Sequence, residues 1–205
     1  MYCGTNPETQ EQTVIDRRNS AVSANRIICG QAGAGKTFLI QNEIRHIFSE
    51  TEDSVFELTD GNQLPFTLEA LHRNHEKGRK TWIFIDEISK MLKNQEHSEL
   101  LCKLADTAER YSAILTLATQ DMCSLFETET GNIILADMNF LTFLSLSQHQ
   151  REVLCRYFGE IVPESVIEKY CGDVPCGNGI FILDSRLLKP DSISQIEVMP
   201  FVFRQ

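Results

Sequence analysis

Eight consecutive residues, Gly30-Gln31-Ala32-Gly33-Ala34-Gly35-Lys36-Thr37, satisfy the pattern G-x-x-x-x-G-K-[ST] in full. Gly30 and Gly35 are expected to take backbone conformations closed to residues that carry a Cβ. Gly33 adds room, so that successive N–H groups can turn inward toward an anion. A helix beginning at this point offers its free amides and positive dipole end to the same anion. The run 30–38, ending at Phe38, is therefore the candidate phosphate cradle. Lys36 is placed to reach the outer phosphates of a nucleoside triphosphate, and the Thr37 hydroxyl to ligate Mg²⁺. The alternative is a glycine-rich turn that binds nothing. The apolar RIIC before the loop and the helically spaced apolar residues after it weigh against that alternative.

Two acids complete a candidate site. TWIFIDE is an almost wholly apolar run that ends in Asp86 and Glu87. In open α/β sheets the carboxyl ends of the strands are where ligands bind. Asp86 would hold Mg²⁺ through a water, because that ion keeps part of its hydration shell. Glu87 would act as general base toward an attacking water. A strand ending in solvated acids is the plainer reading, and the glycine-rich loop tips the balance away from it. Gln120 closes the next apolar run, AILTLATQ, where its amide can sense a phosphate or a water; a polar strand terminus is the alternative. His72 and His75 stand three apart, but no third ligand is near, so a solvated helix face is the favoured reading.

The elements needed to position these groups are legible. Arg26–Cys29, 81–86 and Ala113–Thr119 read as buried strands, and 55–58, 140–146, 179–183 and 193–203 as further strands. Helices are predicted over 38–48, with Phe38, Leu39, Ile44, Ile47 and Phe48 as the apolar stripe. Further helices are predicted over 67–77, 88–92, 96–111, Met122–Phe126, 132–137, Gln148–Phe158 and 163–170. The first two dozen residues read as polar, with a basic pair at Arg17 and Arg18. Strands alternating with helices predict an α/β fold, a mostly parallel sheet with helices on both faces. Residues 1–205 read as one domain.

Composition narrows the partners. A formal net charge of −10 argues against a generic electrostatic grip on nucleic acid or an anionic membrane. Nucleic acid as a partner stays open, since a local basic groove is compatible with that total. No apolar run approaches the roughly 20 residues of a membrane span, and the N-terminus has no leader pattern, so a cytoplasmic protein without direct membrane insertion is expected. Seven scattered cysteines without a C-x-x-C pair fit reduced thiols; Cys171 and Cys176 straddle a turn and are the one pair spaced for a bridge or a shared metal.

Taken in order, VIDRRNSAVSANRIICGQAGAGKTFLIQNEI, GRKTWIFIDEISKML, ERYSAILTLATQDMCSLF, GNIILADMNFLTFLSL and GNGIFIL resemble the nucleotide-binding domain of the conjugative-transfer ATPases of type IV secretion systems, the VirB class. The resemblance covers nearly the whole chain. It implies a RecA-like P-loop NTPase core, ATP with Mg²⁺ as ligands, a ring of like subunits, and hydrolysis that energises a secretion or conjugation complex, peripheral to an inner membrane. It carries the P-loop lysine and hydroxyl onto Lys36 and Thr37, the acidic pair onto Asp86 and Glu87, and the strand-end glutamine onto Gln120.

Two departures stand out. The chain is expected to lack the family's N-terminal domain, and only 38–80 separates the P-loop from the acids where the family has a long helical stretch. The chain also reads Glu109-Arg110-Tyr111 where the family has a basic pair before the aromatic residue. Arg110 is the candidate for an arginine acting across a subunit boundary, with Arg151 and Arg156 behind it; a solvated helix face is the alternative for each. Two other functions fit the residues: a nucleotide-binding interaction module with little turnover, and a HerA/FtsK-like DNA translocase core.

Overall fold

The computed structural model describes residues 2–20, 22–184 and 195–203, with the side chains at 2, 3 and 109 outside that description. Five parallel strands form the part of the sheet that carries the site: β3 (Arg26–Cys29), β4 (Ser54–Leu58), β5 (Thr81–Ile85), β6 (Ala113–Thr119) and β7 (Phe140–Phe143). Every residue of β3, β5, β6 and β7 is buried, which explains why they read as continuous apolar runs rather than alternating ones. Beyond β7 the sheet turns antiparallel through β8 (Asn178–Asp184) and β9 (Ile196–Val202). It then continues into a hairpin of β1 (Tyr2–Thr5) and β2 (Gln12–Val14). The full order is β2-β1-β9-β8-β7-β3-β6-β5-β4. The sheet is therefore mixed, parallel on the side of the site and antiparallel on the other.

The hairpin is a departure from the sequence reading, which saw no strand before Arg26. Its strands are short, which leaves little signal in the sequence; they pair with each other, and β1 joins the open edge of β9 where Thr5 meets Val202. The predicted strand 140–146 stops at Phe143. The predicted 193–203 is observed as Ile196–Val202, and residues 193 and 194 lie outside the described set.

Helices cover both faces unequally. α1 (Lys36–Glu50) follows the loop after β3 and packs with Ile15 and Ala24 against Ile28, Trp82, Phe84, Ala118 and Phe140. The other face takes the remaining helices: α2 (Leu64–Glu76), α3 (Ser89–Leu92), α4 (Gln95–Arg110), α5 (Met122–Phe126), α6 (Glu129–Ala136), α7 (Gln148–Phe158) and α8 (Glu164–Cys171). The buried stripe of α1 is Lys36, Leu39, Ile40, Glu43, Ile44 and Ile47. This corrects the predicted stripe: at 100° per residue Phe48 turns off the face, and it is 66% exposed. α2 begins at Leu64 with Pro65 in its first turn, three residues before the predicted start.

Beneath α1 lies a charged cluster that the sequence did not announce. Arg17, Arg26 and Glu43 are all buried and joined as ion pairs. Arg17 also donates to Ala24 O (2.7 Å), Leu115 O (2.6 Å) and Thr116 Oγ1 (2.8 Å), and Arg26 to Thr142 Oγ1 (2.9 Å). Arg17, read in the sequence only as half of a basic pair, ties the N-terminal segment to α1 and β6. Arg18 faces outward and pairs with Asp53 at 2.7 Å.

Among the described residues no helix is long and apolar enough to cross a membrane, and no group of three or more His, Cys, Asp or Glu is placed to hold a metal. His72 and His75 both flank the Tyr111 ring at 5.6 Å.

Candidate functional site

Because β3, β5, β6 and β7 run parallel, their C-terminal ends share one edge of the sheet, and the chain leaves each of them at the same place. β6 lies between the strand of the glycine-rich loop and the strand of the acids. The loop after β3 is pinned on both sides: the Gly30 amide donates to Thr119 O (3.3 Å) and the Gln31 amide to Ser145 O (2.9 Å). Gly33 (φ +75°) and Gly35 (φ +103°) take the left-handed region. Gly30 does not, contrary to the sequence reading. A Cβ there would lie 3.1 Å from the Cβ atoms of Ala34 and Leu144, so close packing is what demands glycine at 30.

The amides of Ala32, Gly33, Gly35, Lys36, Thr37 and Phe38 find no protein acceptor among the described residues. A Cβ on Gly33 would meet nothing within 4 Å. Free donors around open space at a helix start form an anion cradle. Lys36 is buried, with its ammonium donating to Gly30 O (2.8 Å) and Gln31 O (3.1 Å). Loss of water lowers its pKa below the usual lysine value, and the Glu87 and Asp86 carboxylates oppose that shift.

At the end of β5 the Thr37 hydroxyl donates to Asp86 Oδ2 at 2.5 Å. Two hard oxygen donors side by side next to a phosphate cradle suit Mg²⁺. Glu87 has φ +69°, an uncommon conformation for a residue with a side chain. The turn sends its carboxylate toward the end of β6 rather than along the direction of Asp86. Oε1 accepts from Ser89 Oγ (2.6 Å) and Thr119 Oγ1 (3.2 Å), and Oε2 from the Gln120 amide (3.3 Å). Gln120 has an exposed side chain, and its carbonyl accepts from Gln150 Nε2 (2.7 Å).

The fold thus brings together Lys36, Thr37, Asp86, Glu87 and Gln120. Arg110 is not among them. It ends α4, before β6 begins, at the opposite edge of the sheet, where it pairs with Asp106 on its own helix. Arg151 is nearer, donating to Leu146 O (2.8 Å) just past β7 while paired with Glu168 (2.7 Å). Arg156 pairs with Glu127 at 2.7 Å.

Sequence reasoning missed Ser89, Ser145 and Gln150. Gln150 had a signal: Ser147-x-x-Gln150 is a capping-box spacing, and the box is formed. Ser89 and Ser145 carried none, since a lone serine beside a motif is common. A second surface segment also reaches the cradle: the Gly177 amide donates to Ala34 O (3.4 Å), and Cys176 Sγ lies 3.1 Å from where a Gly35 Cβ would stand.

No protein-family model and no curated protein matches the sequence. Solved structures share the fold. The cytoplasmic domain of the type VII secretion ATPase EccC from Thermomonospora curvata superposes with a TM-score of 0.70 at 13% identity, over 99% of this chain and 28% of that one. The genome packaging NTPase B204 of Sulfolobus turreted icosahedral virus 2, in complex with AMPPCP, gives 0.55 at 11% identity, over 89% of this chain and 99% of B204. VirB4 of Thermoanaerobacter pseudethanolicus gives 0.53 at 16% identity, over 71% of this chain and 36% of VirB4. The chain therefore spans less than half the length of these secretion ATPases. Its fold is the α/β fold of P-loop ATPase domains.

Proposed function

We propose that this chain binds Mg·ATP and hydrolyses it as one RecA-like ATPase domain, residues 1–205, of a ring-forming secretion or conjugation motor of the VirB class, on the cytoplasmic side of an inner membrane. One observation carries the reading: Lys36, the Thr37–Asp86 pair and Glu87 lie on the one edge where six amides have no protein acceptor among the described residues. The cradle and Lys36 hold the phosphates. Thr37 and Asp86 would hold Mg²⁺, which when bound offsets phosphate charge. Glu87 takes the proton of the attacking water, and Gln120, tied to Glu87 through its amide, reports the state of the terminal phosphate.

Calorimetric titration with Mg·ATP, paired with a phosphate-release assay, tests this. Lys36→Ala is expected to abolish the binding heat. Glu87→Gln should keep the heat and lose at least 100-fold in turnover, the scale of a general base. No heat with the unaltered chain, or wild-type turnover by Glu87→Gln, would overturn the reading.

A second reading, a DNA-translocating motor, is supported by B204, a genome packaging NTPase that this chain covers almost end to end. The net charge of −10 opposes it. Stimulation of turnover by duplex DNA at low salt, lost as salt rises, would select it.

A further inference from the structure

We propose that Ser89 is the positioning residue for Glu87: its hydroxyl anchors one carboxylate oxygen and so leaves the other, Oε2, as the proton acceptor. The inference rests on the hydrolytic reading above and names a residue that reading does not use.

The turn after β5 is held by the buried Ile88, whose amide donates to Ala118 O at 2.9 Å. This fixes Glu87 at φ +69° and starts α3 at Ser89. A serine at a helix start ordinarily caps it, yet the N-cap of α3 is Ile88 and no side chain caps the helix. The buried Ser89 hydroxyl instead donates to Glu87 Oε1 at 2.6 Å, the shortest of the three bonds to that carboxylate.

A carboxylate offers about four acceptor positions, two on each oxygen. Ser89 and Thr119 fill both on Oε1. The Gln120 amide takes one on Oε2, leaving one there for a water proton. Thr119 is shared, since Asp121 O, at 3.5 Å, competes with Glu87 for its one hydroxyl proton, whereas the bond of Ser89 goes to Glu87. In the step this geometry supports, the water oxygen bonds to the terminal phosphorus as the bond to the leaving diphosphate oxygen breaks, and the water's proton passes to Oε2. Without Ser89 the carboxylate is free to rotate about its remaining contacts. A misplacement of about 1 Å can cost about 100-fold in rate.

The test uses the full chain and measures steady-state and single-turnover ATP hydrolysis alongside the affinity for a non-hydrolysable Mg·ATP analogue. Ser89→Ala is expected to lower kcat about 10- to 100-fold, with KM and analogue affinity within about threefold. Ser89→Thr, which restores the hydroxyl, should stay within about threefold of wild type. In a Glu87→Gln background Ser89→Ala should cost less than about twofold more, because the group it positions is gone.

Wild-type kcat in Ser89→Ala, or the same loss in both backgrounds, overturns the proposal. Should Ser89→Ala fail to fold, Ser89→Cys keeps the volume with a weaker donor and is read by the same criteria. If Glu87→Gln is inactive while Ser89→Ala is silent, only the role of Ser89 falls. If Glu87→Gln turns over normally, the base assignment falls and the Ser89 role with it.

Discussion

The cysteines show how far a residue's chemistry depends on where the fold puts it. Burial pushes the Cys171 thiol up to about 12 and raises the thiol of Cys29 as well, so neither yields the thiolate that reacts. The half-buried Cys102, Cys123 and Cys155 are shifted in the same direction by burial. Cys176 is exposed and touches the loop at Gly35. Brief treatment of the native protein with iodoacetamide is therefore expected to label Cys176 well before Cys29 or Cys171, and saturating Mg·ATP should slow that labelling severalfold. Peptide mapping by mass spectrometry gives the answer; labelling at Cys176 that ignores the nucleotide would place the bound ligand away from this loop. Neither half of that contrast is visible in the spacing of Cys171 and Cys176, which offered only a bridge or a shared metal as options.

At the scale of elements, α1 does two jobs. Its first turn presents Lys36 and Thr37, and about two turns further on Glu43 joins Arg17 and Arg26 under the helix. The charges are almost wholly without water, so removing one partner strands the others. Glu43→Gln is expected to destabilise the fold by about 3–5 kcal/mol, the range for a broken buried ion pair. A loss of unfolding free energy, from denaturant titration, of less than a third of that amount would mean that water enters the cluster. The sequence placed α1 within two residues of its true bounds, because the glycine loop and the apolar spacing both mark its start. It misread the helix's inner face, assigning Phe48 to it and leaving out Glu43. A period finds the hydrophobic side of a helix but has no means of predicting that an acid on that side will meet two arginines from 17 and 26 residues away along the chain.

For the whole molecule, the arrangement of charges bears on assembly. Arg110 sits at the edge of the sheet away from the site and Arg151 is committed to Glu168, so within one chain no arginine from the sequence reading faces the phosphate cradle. A motor that borrows such a residue from a neighbour turns over faster when assembled, and an arginine finger can be worth roughly 10³–10⁵ in rate. Turnover per subunit is accordingly expected to climb steeply with protein concentration, in step with mass measured by light scattering. A flat, slow rate from a protein that binds Mg·ATP tightly would instead mark a nucleotide-binding module. The comparison structures leave both open, since this chain covers 28% of the EccC chain and 99% of B204.

What the sequence alone determined is what local chemistry encodes. The glycine-rich loop, the apolar strand ending in two acids, and the alternation of strand and helix each depend on neighbours a few residues apart, and all were readable. Only the tertiary structure decided which groups meet. It set β6 between the loop strand and the acid strand, turned Glu87 away from Asp86 onto Ser89 and Thr119, sent Arg110 to the far edge, and added a polar hairpin beyond β9. Those outcomes depend on strand order and on contacts between residues distant in the chain, and neither propensity nor periodicity carries that information.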